Sequence, residues 1–133
     1  MGITQFDFSF NGTQNEFLNK LNMWVNTTRE GKRYTQKTPS FGGQFMIQRG
    51  KGFLSPPIFL EFLIHSEKGS TTTATTHVTA YGYVRGLVFI VVPRKLPIAK
   101  DSLRVGLPRR NGWNDMMKIL TFLGVQKYNL RKI

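Results

Sequence analysis

Two histidines, His65 and His77, are the side chains of this sequence best suited to moving protons near neutral pH. Both occupy odd positions of neighbouring apolar runs. A hairpin centred on Gly69 would set Glu61 opposite His77. A carboxylate facing an imidazole has the form of an acid–base pair. On a strand surface such pairs are usually structural, so no catalytic residue is assigned. Two histidines, no cysteine and scattered acids fall short of the four ligands of a structural zinc, and no metal centre is expected. No phosphate loop, nucleophile elbow or zinc-binding helix motif is present, and Gly50-Lys51-Gly52 is too short to cradle a phosphate. No cofactor is expected.

The chemistry that the composition does support is electrostatic. The chain carries 19 Lys and Arg against 7 Asp and Glu, a net charge of +12. A field of that size attracts polyanions. The excess sits in two blocks, residues 29–51 and 94–133, separated by a neutral, apolar middle. Arg29, Lys32 and Arg33 in the first block, and Arg94, Lys95, Lys100, Arg104, Arg109 and Arg110 in the second, are the candidate phosphate contacts. Tyr34 and Tyr128 each follow a basic residue and are candidates for stacking on bases. Trp113 and Phe53 read as core.

The elements that must position these side chains follow from periodicity. Ile3 to Phe10 alternates, with Phe6, Phe8 and Phe10 on one face, and predicts a strand. Thr13-Gln14-Asn15-Glu16 has the form of a capping box. The helix after it sets Phe17, Leu18, Leu21, Trp24 and Val25 on one side and ends near Thr27. Short strands are predicted over 44–48 and 58–65, the second apolar on both faces. A long strand follows over about 71–84, then one over 87–92 ended by Pro93, and another over 102–107. Asn111 reads as the cap of a last helix that carries Trp113, Met116, Met117, Leu120 and Leu123 and stops at Gly124. Between them, 94–110 reads as a basic loop tethered at both ends.

The expected class is α+β: one curved antiparallel sheet with a helix after strand 1 and a C-terminal helix. The expected organisation is a single domain over 1–124 and a basic C-terminal tail over 125–133. The absence of cysteine and of an N-terminal export pattern sets the expectation of an intracellular protein, and no apolar run reaches the length of a membrane span.

The element order resembles the helix-grip arrangement of START-like domains, in which a sheet wraps a C-terminal helix. That resemblance implies an apolar cavity, which Phe-rich strands and the Met-bearing helix would line. A second resemblance rests on "FDFSFNGTQNEFLNKL" and "HVTAYGYVRG", which look like the N-terminal part of ribosome-inactivating N-glycosidases and would set Tyr81 near that family's base-stacking tyrosine. The family's catalytic helix, with Glu-Ala-x-x-Arg, has no counterpart in this chain, so no activity is carried over. The expected function is a non-enzymatic nucleic-acid-binding module, with RNA favoured over DNA because no helix-turn-helix is visible. Its partner would be nucleic acid or a larger ribonucleoprotein assembly. The alternative is a carrier of a small apolar ligand.

Overall fold

The computed structural model describes residues 2–50, 56–69, 73–88, 92–100 and 106–133, apart from the side chains of 86–88, 92–94, 106 and 107. The order is β1 (Thr4–Asn11), α1 (Gln14–Thr27), a 3₁₀ turn (Gly31–Arg33), β2 (Tyr34–Lys37), β3 (Phe45–Arg49), β4 (Ile58–Lys68), β5 (Thr75–Val88), β6 (Val92–Pro97), α2 (Gly106–Phe122) and β7 (Asn129–Lys132). This is the α+β class expected, with an open antiparallel sheet in the order β2-β3-β4-β5-β1-β7.

Long strand β5 organises the sheet. One of its edges pairs with β4. The other is shared end to end by β1, along Thr75–Gly82, and β6, along Tyr83–Val88. Pro93 and Pro97 belong to β6 and do not end the sheet. They fall opposite Leu87 and Tyr83. Arg85 N–H points the other way, to Pro57 O at 3.1 Å. The prolines therefore stand where an N–H would face away from the ladder, the one place a strand tolerates them.

Both helices cover the face that carries Phe6, Phe8, Phe10, Leu60, Phe62, Val78 and Ala80. The capping box forms as expected: Thr13 Oγ1 accepts from Glu16 N at 3.1 Å, and Thr13 N donates to Glu16 Oε1 at 2.9 Å. Helix α2 begins at Gly106, earlier than the predicted cap at Asn111, because Pro108 is compatible with a first helical turn. The predicted strand over 102–107 falls mostly outside the described residues. The helix ends in a Schellman motif, with Val125 N donating to Leu120 O and Gly124 N to Thr121 O. The residues expected as a tail pair with β1 over Asn129–Lys132 as β7.

Ile98 fills the layer between β5 and α2. It is fully buried, and a methyl group added at Gly82 or Gly112 would overlap its side chain. Glycine at both positions is what lets strand, isoleucine and helix approach this closely.

The β4–β5 register differs from the hairpin centred on Gly69. Pairing closes between Lys68 and Thr75, and a bulge lies between Ile64 and Ser66. Glu61 therefore faces Tyr81, and the expected Glu61–His77 pair does not form.

Candidate nucleic-acid interface

Six of the seven carboxylates belong to the described residues, and each is held by an internal partner. Glu16 caps α1. Glu30 pairs with Lys118 at 3.1 Å. Glu67 Oε1 accepts from Gln14 N at 2.6 Å. Asp115 Oδ2 accepts from Tyr34 Oη at 2.7 Å and from Arg49 at 2.8 Å. Asp7 accepts from Thr79 Oγ1 at 2.6 Å and from Arg131 at 3.0 Å. Burial alone would raise the Asp7 pKa, but hydrogen bonds from Thr79, Gln5 and Arg131, with the charge of Arg131, hold it below its ordinary value. Glu61 is fully buried; its Oε1 accepts from Ser40 N at 2.8 Å, and its Oε2 from Phe41 N at 2.8 Å and Gly43 N at 3.0 Å.

Only Arg49, Lys118 and Arg131 form ion pairs among the described residues. Arg29, Lys32, Arg33, Lys95, Lys100 and Arg110 are exposed. The Glu30–Lys118 contact brings the 29–33 block beside α2. Arg110 lies on that helix eight residues before Lys118, about 12 Å along the axis. Part of the first basic block therefore lies beside the helix that carries Arg110 and Lys118. Arg109 has a structural role: its Nε donates to Pro97 O at 2.7 Å. Arg94 belongs to β6, opposite Gly86, with its side chain outside the described set, as is the whole of Arg104.

Tyr34 is a correction. It is buried, with its ring 5.7 Å from that of Trp24 and its hydroxyl on Asp115, so no base can reach its face. Burial, and then the negative charge of Asp115, push its phenol pKa well up, so it remains a hydrogen-bond donor. Tyr128 lies tilted against Phe6, at 5.5 Å between ring centroids, and is 36% exposed.

The sheet face opposite the helices carries a second group of aromatics. Phe59 and Tyr83 stack with centroids 5.1 Å apart. Arg85 lies over Phe59 at 5.0 Å. The 38–44 loop lays Phe41 against Tyr81 at 5.3 Å and Tyr83 at 5.9 Å. Lys95 Nζ sits 4.7 Å from the Phe41 centroid and 5.3 Å from that of Tyr83. Each such cation is held by the negative face of a ring. Sequence reasoning placed Tyr81 and Tyr83 on one face but missed Phe41, whose loop lies some 40 residues from its contacts. The alternation of Phe59, Tyr81, Tyr83 and Arg85 was the available signal.

On the same face, His65 Nε2 lies 2.5 Å from Thr79 Oγ1. Thr79 gives its only hydroxyl proton to Asp7, so the imidazole is the donor to that oxygen and cannot act as its base. Ser9 Oγ lies 3.0 Å from His77 Nδ1. These residues border an open cleft of about 240 Å³. No helix among the described residues is long and apolar enough to cross a membrane. No family model, curated protein or solved structure matches this chain.

Proposed function

We propose that this protein is a non-enzymatic nucleic-acid-binding module that prefers single-stranded RNA to DNA, alone or as part of a ribonucleoprotein assembly. One observation carries the reading: every described carboxylate is committed to an internal partner, while most described cations face solvent. With 19 basic against 7 acidic residues, and three cations in ion pairs among the described residues, the surface is net positive, the condition for drawing in a polyphosphate. Arg29, Lys32, Arg33 and Arg110 supply phosphate contacts along the helical layer, and Lys95 and Lys100 supply them beyond it. The partly exposed rings of Phe41 and Tyr81, with Lys95 over Phe41 on the outer sheet face, suit unpaired bases better than a duplex groove. The carrier reading asks for room between the sheet and α2, and Ile98 occupies that layer.

The test is fluorescence anisotropy with a labelled single-stranded RNA. The variant Lys32→Glu/Arg33→Glu/Arg110→Glu weakens binding at least about tenfold, since it removes up to three phosphate contacts and adds repulsion. Its melting temperature stays close to wild type, because all three side chains are exposed. Unchanged affinity in the folded variant would remove this surface from the proposal.

A further inference from the structure

We propose that Phe41 plugs a nucleobase slot on the outer sheet face, and that an unpaired base displaces it to stack on Tyr83 beneath Lys95. This rests on the RNA-binding reading and adds a specific subsite to it. Tyr83 is fully buried, yet its hydroxyl has no hydrogen-bond partner among the described residues. Burial pushes the phenol pKa up, and the Ser40 side chain nearby draws it back only in part, without forming a hydrogen bond of good geometry to it. A buried polar atom without a partner is costly, and it points to a group that arrives later.

A loop residue packs on this tyrosine: the Phe41 ring lies 5.9 Å from that of Tyr83. Phe41 is only partly buried, and its backbone is held by the Glu61 carboxylate. Lys95 stands over both the Phe41 and the Tyr83 ring, so a base that stacks on either lifts the lysine, and the two tyrosines already lie against Phe41. Moving Phe41 aside exposes a flat aromatic floor of Tyr83 stacked on Phe59, with an ammonium above and an unpaired hydroxyl at the side. A planar ring with a hydrogen-bonding edge and a nearby phosphate matches each of these three features. Phe41 matches only the first.

The experiment compares wild type, Phe41→Ala and Phe41→Leu for a mixed-sequence single-stranded oligoribonucleotide and for the same backbone without bases. Both variants are checked for a cooperative melt. Opening the slot tightens binding of the base-bearing oligonucleotide at least about fivefold, the low end of one stacked base. Binding of the abasic strand does not change, and Tyr83→Phe in the Phe41→Ala background removes part of the gain. Weaker binding by Phe41→Ala would mean that Phe41 is itself the platform, which overturns the plug. Equal binding by all three proteins overturns it too, while leaving the electrostatic reading intact. Loss of all binding, wild type included, refutes both.

Discussion

Replacing Asp115 by alanine lowers the unfolding free energy by about 3 kcal/mol or more, the cost of removing one partner from a buried ion pair. The carboxylate lies on α2 and is almost fully buried. One of its oxygens receives both the Tyr34 hydroxyl at 2.7 Å and the Arg49 guanidinium at 2.8 Å. These three residues join α2 to β2 and β3, the far end of the sheet from β1. Alanine leaves a guanidinium and a phenol partly or wholly buried with nothing to accept their protons. Tyr34→Phe removes one neutral donor and costs only about 1 kcal/mol. Urea unfolding of the two variants checks this: the midpoint falls far more for Asp115→Ala, with the slope kept. A small loss in Asp115→Ala would mean that water replaces the carboxylate there.

Glu61→Gln is the second large effect. Its carboxylate is buried beneath the 38–44 loop and accepts three backbone N–H groups from Ser40, Phe41 and Gly43. Charge-assisted hydrogen bonds of this kind are strong and short. Glutamine keeps one accepting oxygen and turns an amide N–H₂ toward donors on the other side. One bond to a charged group is lost and at least one donor is left unpaired, a cost of about 3 kcal/mol. The effect is concentrated in the 38–44 loop, so hydrogen exchange at Phe41 and Gly43 accelerates far more than in β4 or β5. Uniform acceleration across the sheet would show that Glu61 supports the whole fold rather than this loop. If Phe41 is a plug, loosening the loop also tightens RNA binding.

Local pattern made much of this architecture legible. The alternation of Phe6, Phe8 and Phe10 and the Thr13–Glu16 capping box depend on neighbours a few residues apart, and both form as expected. The elements that were misread depend on distant partners. Pro93 looks like a strand terminator until β6 is seen to be an edge strand. Asn129–Lys132 is too polar to announce itself as a strand, and it is one only because β1 offers an edge. Tyr34 has polar neighbours on both sides, while its partner Asp115 lies 81 positions away. At the candidate site, the positive excess was visible from composition. How few of the cations are ion-paired was not, because that depends on where each carboxylate is bound. Glu61 is the clearest case: it reads as a strand-surface acid opposite His77, and it is a buried anchor for a loop.

The central claim is that a net positive surface holds a polyphosphate chain. Its most direct test is the affinity of the wild-type protein for single-stranded RNA, measured from about 50 to 200 mM salt, a range over which phosphate contacts show clearly. The logarithm of the binding constant falls linearly with the logarithm of salt concentration, with a slope of about −0.7 for each phosphate engaged. An affinity that does not respond to salt, or one equal for an uncharged-backbone analogue, would contradict it.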